Sequence, residues 1–353
     1  MWLLQMNEDK LVFSLKMIKK HINYALGLSD DKYIITGYNL LPALLNAVAY
    51  NSYIETVSNK TDTLYIRCEE SLISMIEYSY LNYIKGISNK IELNKKSVIL
   101  AFDYTEEDFY GDVQGFDIHG WTGKEGITGK FKFLTCSIIS DDIPEKIPLI
   151  SVPIKIGHSK SNTILYCLSL IKNYIGEIKL ILFDRGFQNN DLMFELTKWE
   201  YPYLIFIKKS PEYKKLLEEL EEQKTIFIHN YEVNKNKSVY EGETYLAFLK
   251  QIYDPKLDKN LDWVFATNVE KVALGNLLSI YKKRWRIETQ FRVHDEARIR
   301  CRSKLMKVRY FFFMFEQMLQ TIWICFYKDE CSFKEFLIDL SNVANKWVKI
   351  KVD

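Results

Sequence analysis

Two short apolar runs deliver an aspartate each. Ser97-Val-Ile-Leu-Ala-Phe-Asp-Tyr-Thr105 reads as a strand with Asp103 near its end, and Lys179-Leu-Ile-Leu-Phe-Asp-Arg-Gly186 as a shorter strand that ends in Asp184. Runs of four or five consecutive apolar residues suit strands covered on both faces, which places them inside an α/β sheet. If the two strands are neighbours, both carboxylates emerge at one end of the sheet, where open α/β sheets hold their ligands. Close carboxylates repel and call for a cation or a proton between them. Taken singly, an Asp at a strand end is more often a turn or helix cap. Asp184 carries more weight, because Arg185-Gly186 follows and Gly permits a tight turn into the next element.

The order of the remaining segments narrows the fold. Apolar residues recur at helical spacing through Leu11–Leu26, Leu40–Tyr53 and Leu72–Ile84, so residues 1–95 read as a helical N-terminal domain. After the Asp103 strand come a Gly-rich aromatic stretch (Gly111 to Gly129) and two strand-like runs, Phe131–Ser140 and Leu149–Ile156. Ser159–Ile175 reads as a helix with serines placed to cap it. The Asp184 strand, a helix (Asn190–Trp199) and a strand (Tyr203–Lys208) follow. Residues 211–262 break the rhythm with a charged helix and alternating runs, and read as an insertion bearing its own strands. Trp263–Asn268 is one more strand, Ala273–Ala297 one long helix, and 305–353 a C-terminal helical part. Three strands, helix, strand, helix, strand and a late helix is the order of a ribonuclease H-like α/β fold, a mixed sheet with flanking helices. A domain of that fold would span 96–304, with its insertion at about 211–262.

A third carboxylate lies on the late helix. Tyr281, Arg284, Glu288, Arg292 and Asp295 recur at steps of three or four and share one face. The plain reading is a ladder of i,i+4 ion pairs. The sharper one makes Glu288 a metal ligand between guanidinium forks that grip phosphates. Charge favours a nucleic-acid partner: Tyr281–Tyr310 holds eleven Lys/Arg against three Asp/Glu, a local +8 in a chain whose net charge is +2.

Other features exclude classes. The six cysteines form no C-x-x-C pair, so neither a zinc ribbon nor a disulfide framework is expected. Val308–Tyr327 is apolar but interrupted by Arg309, Glu316, Gln317 and Gln320, which suits a buried helix and not a membrane span. No signal-peptide pattern opens the chain, and a cytoplasmic protein is expected. His119 and Trp121 read as loop residues, and His158 and His294 as structural histidines.

At these residues the chain resembles the DDE transposases of prokaryotic insertion sequences, in the IS-four-like group marked by Y-x2-R-x3-E-x6-K. Tyr281, Arg284 and Glu288 match the first three positions, and Asp295 replaces the Lys. Asp184-Arg-Gly-Phe187 fits the group's D-R-G-[FY] segment, and Asp103-Tyr-Thr105 its first aspartate. The resemblance covers about residues 97–304. It implies that Asp103, Asp184 and Glu288 hold two Mg²⁺ or Mn²⁺ ions, with one activating the attacking water. It further implies cleavage and strand transfer at terminal inverted repeats of double-stranded DNA, and a homodimer in the synaptic complex. Tyr281, Arg284 and Arg292 would orient phosphates, and Arg298, Arg300, Arg302 and Lys304 would follow the DNA backbone. DNA-end binding would fall to residues 1–95, although no helix-turn-helix signature is found there. The alternatives are a ribonuclease H-like nuclease or resolvase without transposition, and an inactive DNA-binding derivative.

Overall fold

The structure is a computed structural model of the chain. It describes residues 8–28, 37–121, 123, 126–141, 143, 146–221, 225–233, 242–254, 258–269 and 274–352. Five helices open it: α1 (Glu8–Ala25), α2 (Gly37–Tyr50), α3 (Ile54–Val57), α4 (Thr61–Glu70) and α5 (Ile73–Ile91). Strands β1 (Val98–Phe109), β2 (His119–Gly120), β3 (Gly129–Ile138) and β4 (Pro148–Ile154) follow. Then come α6 (Lys160–Ile171), β5 (Ile178–Phe183), α7 (Asn190–Lys198) and β6 (Tyr203–Phe206). The next elements are α8 (Pro211–Glu219), β7 (Thr225–Val233), β8 (Gly242–Asp254) and β9 (Lys259–Thr267). Helices α9 (Leu274–Lys282), α10 (Trp285–His294), α11 (Met306–Phe326) and α12 (Phe333–Val352) close the chain.

The strands form a single mixed sheet in the order β3-β1-β5-β6-β9-β8-β7, with β2 and β4 both paired to β3. β1 runs antiparallel to β3 and parallel to β5, and β5 runs parallel to β6. Apart from the two-residue β2, the first five strands therefore have the meander-then-crossover order expected of a ribonuclease H-like fold. The segment read as an insertion does not make a sheet of its own. β9 pairs with β6, Leu204 opposite Thr267, and β8 and β7 continue outward from it.

Side-chain alternation along β1 divides the core. Phe102 joins a large cluster with α6, α7 and α11, while Ala101 joins a second cluster with Tyr281 of α9 and Ile287 of α10. Helices thus cover both faces, which is why β1 and β5 read as unbroken apolar runs. α11 is buried along most of its length, as its mixed composition suggests. Among the described residues, no helix is long and apolar enough to cross a membrane. The helices of residues 1–95 pack against the C-terminal ones, and their buried residues (Leu15, Leu44, Ile84) lie in the same cluster as Phe102, Phe313 and Leu337.

Capping chemistry fits its positions. Ser159 accepts the Asn162 amide at the start of α6, Asn189 that of Asp191 at the start of α7, and Ser210 that of Tyr213 ahead of Pro211. One glycine fixes how closely β5 can approach β1. A Cβ on Gly176 would lie 2.3 Å from the Lys96 carbonyl oxygen and 3.0 Å from that of Asn94. Backbone cannot yield as a side chain can. Gly176→Ala is therefore expected to cost about 1–3 kcal/mol, read by chemical denaturation. An unchanged midpoint would show that the two segments are free to part.

Candidate active site

β1 and β5 bring the two aspartates together. Leu100 pairs with Ile181 and Ala101 with Leu182, and the same parallel register carried two residues further sets Asp184 beside Asp103. Aromatic rings lock this edge from the opposite face: Phe102 stacks on Phe183 at 5.5 Å and Tyr104 on Phe187 at 4.7 Å. Asp103 is not near the end of its strand, as the sequence suggested. β1 continues to Phe109, because its pairing with β3 persists to Gly129 after β5 has stopped. Asp184 follows β5 directly, and its Oδ1 accepts the Gly186 amide at 2.7 Å. A Cβ at position 186 would stand 3.0 Å from that oxygen, so Gly leaves the carboxylate room.

Glu288 arrives from the other side of the sheet. The expected single helix over 273–297 is instead two, α9 and α10, with residues 283 and 284 between them. The break lets Tyr281 and Ile287 both reach the second core cluster. At the break, Arg284 Nη1 donates to Asp103 Oδ2 at 2.9 Å and Nη2 to Glu288 Oε1 at 2.8 Å. One guanidinium thus spans a strand carboxylate and a helix carboxylate. The Arg284 side chain is 7% exposed and that of Asp103 16%, whereas Glu288 is 48% exposed.

Electrostatics at Asp103 are finely balanced. Burial raises its pKa to about 6; Arg284 opposes the rise, and Asp184 and Glu288 add to it. Arg284 itself is shifted upward, its burial outweighed by Tyr281, Asp103 and Glu288. The two partners differ in sign of benefit: the pairing favours charged Arg284, but at Asp103 desolvation is the larger effect. Among the described residues, no three His, Cys, Asp or Glu side chains converge as a metal-ligand set would. Arg284 stands between two of the three carboxylates. The donor type nonetheless suits a hard divalent cation, and the repulsion from Asp184 and Glu288 that adds to the effect of burial at Asp103 is what such a cation would relieve.

The remaining expected site residues divide into buried and exposed. Tyr281 is buried, 4.9 Å from Phe265 and 5.7 Å from Phe206 between ring centroids, with Arg284 5.9 Å above its ring. That placement gives it packing contacts within the second core cluster. Arg284 faces carboxylates. Arg292, Arg300, Arg302 and Lys304 are exposed. Arg298 is half-buried, 3.0 Å from Asp295, the residue standing where the motif has Lys, and Glu107 also acts on it. His294 is buried against the Phe313 carbonyl, and burial lowers its pKa to about 4. Reading the sequence missed Lys160, whose Nζ donates to the Gly186 carbonyl at 2.7 Å from the start of α6. A lone lysine at a helix start gives no signal until the fold sets it beside the Asp184 turn.

These features define a strand–strand–helix carboxylate site on a ribonuclease H-like sheet. A family model described as a transposase DDE domain matches residues 152–315, a stretch that includes Asp184 and Glu288 and begins after Asp103. Among solved structures, a cryo-EM structure of the piggyBac transposase synaptic complex with hairpin DNA shares the fold. It is 13% identical, with a TM-score of 0.54, over 98% of this chain and 80% of that one. No curated protein matches the chain. The domain match supports a DNA-transposing enzyme, and the solved structure adds the shared fold.

Proposed function

We propose that the chain is an insertion-sequence DDE transposase of the Y-x2-R-x3-E type, cutting and rejoining DNA at the ends of a mobile element through Asp103, Asp184 and Glu288. The observation that carries this reading is the Arg284 bridge between Asp103 and Glu288, next to Asp184. Arg284 ties a strand carboxylate to a carboxylate on a later helix, and Asp184 acts electrostatically on the first of them, in the chain order the motif requires.

Asp103, Asp184 and Glu288 would hold two divalent cations, Mg²⁺ or Mn²⁺. Bound there, such ions activate the attacking oxygen and stabilise the leaving one. The chain's own residues provide the rest. Arg284 is buried and orients the carboxylates. Arg292, Arg300, Arg302 and Lys304 grip the DNA backbone, which gives salt-sensitive affinity without sequence information. Residues 1–95 contribute to binding terminal inverted repeats, 96–304 the chemistry with the added strands of about 211–262, and 305–353 the supporting helices. Two copies act together in the synaptic complex, within a prokaryotic cytoplasm.

The test is a joining assay. Purified protein, Mg²⁺, a labelled duplex carrying the element end and a target plasmid should yield joined products, lost on addition of chelator. Cleavage without joining would favour a nuclease or resolvase. Binding without either would favour an inactive derivative.

A further inference from the structure

Between α10 and α11 runs a strap, residues 295–304, that carries Arg300, Arg302 and Lys304 on its surface. It has almost no regular structure, yet its backbone is pinned along its length. Glu316 Oε1 accepts the Ile299 amide at 2.6 Å. Arg300 exchanges backbone hydrogen bonds with Ser52 and Ile54, and the Arg302 amide donates to Glu55 at 2.8 Å. Arg309 donates to the carbonyls of Cys301 and Ser303, both at 3.0 Å.

At the head of the strap one side chain does several of these jobs. Asn51 Nδ2 lies 3.2, 3.1 and 3.5 Å from the carbonyl oxygens of Asp295, Glu296 and Arg298. Its Oδ1 accepts Lys334 Nζ at 2.5 Å, and the same ammonium donates to Glu296 at 3.2 Å. Asn51 sits just after α2 with φ +48°, a left-handed conformation that Asn tolerates better than most residues. Both features select Asn: an amide that donates at one atom and accepts at the other, on a backbone that most side chains strain.

We infer that Asn51 is a positioning residue for DNA: it fixes the end of the Glu288 helix and the strap behind it, so that Arg300 and Arg302 meet phosphates in one register. The inference rests on the DNA reading proposed above. It makes the N-terminal helices part of the catalytic apparatus, since the clamp reaches across from α2.

The substitution that isolates this role is Asn51→Gly. Glycine accepts φ +48° without strain, so the backbone stays while the clamp is lost. Two readouts are needed in the full chain carrying Asp184→Asn to silence cleavage. The first is hydrogen exchange, where amides of 298–303 should lose protection in Asn51→Gly while β1 and β5 keep theirs. Unchanged protection in 298–303 overturns the clamp, whatever the DNA result. The second is affinity for a 40-base-pair duplex across a salt series. Asn51→Gly should weaken binding about tenfold and lower the salt slope by about two, the number of arginines set loose. In an Arg300→Gln/Arg302→Gln background the same change should weaken binding less than twofold, because the residues it acts through are gone. Additive losses overturn the positioning role. If Arg300→Gln/Arg302→Gln alone leaves affinity and slope unchanged, the strap's DNA reading falls, and with it the role of Asn51 toward DNA.

Discussion

Asp184→Asn is expected to reduce DNA cleavage by on the order of 10³-fold while leaving the fold intact. The structural half follows from the Asp184–Gly186 contact. The carboxylate oxygen that accepts the Gly186 amide has a counterpart in the Asn amide oxygen, so the cap at this turn survives. The chemical half follows from charge. Asn is nearly isosteric but neutral, a poorer partner for a divalent cation and for phosphoryl charge that builds in the transition state. Cleavage of a labelled element end under single-turnover conditions, with denaturation midpoints for both proteins, separates the halves. Equal cleavage by wild type and Asp184→Asn would remove Asp184 from the site. A collapsed midpoint with lost cleavage would make it a structural cap instead.

How much of this site was legible in the sequence depends on where each residue sits. Asp184 was clear because its strand, turn and glycine lie within a few residues. Glu288 was clear because helical spacing ties it to Arg284 and Arg292. Asp103 was placed in the correct strand but too near its end, since the continuation to Phe109 depends on a partner strand some thirty positions away. The break between α9 and α10 was not legible: no Gly or Pro marks it, and it arises because Tyr281 and Ile287 must enter one core cluster. The pairing of Arg298 with Asp295 and the burial of Tyr281 were lost for the same reason. Helical periodicity says which residues share a face, and only the tertiary packing says what that face meets. The added strands of 225–267 were found as strands, but their pairing to β6 is a long-range property that alternation does not encode.

Asp103→Asn should abolish cleavage and yet make the protein more stable at alkaline pH. Asp103 ordinarily titrates near 3.8 and is raised to about 6, chiefly by burial. Between about pH 4 and 6 the folded state therefore holds a proton that the unfolded state has released. Stability must fall as pH rises through that window and stay lowered above it. A shift of roughly two units corresponds to about 3 kcal/mol. Asn carries no charge to desolvate, and its amide oxygen can still accept Arg284 Nη1, while Nη2 keeps Glu288. Denaturant titrations of both proteins at pH 4.5 and pH 8 should show the variant gaining about 2–3 kcal/mol relative to wild type between the two. Groups common to both proteins cancel in that comparison. A gap that does not change with pH, or one in which the variant loses ground to wild type between pH 4.5 and pH 8, would refute the raised carboxylate. Wild-type cleavage should rise as pH increases through about 6, because the carboxylate must be ionised to bind a cation. A buried charge that destabilises the fold at the pH where the enzyme works is what a group retained for chemistry should look like.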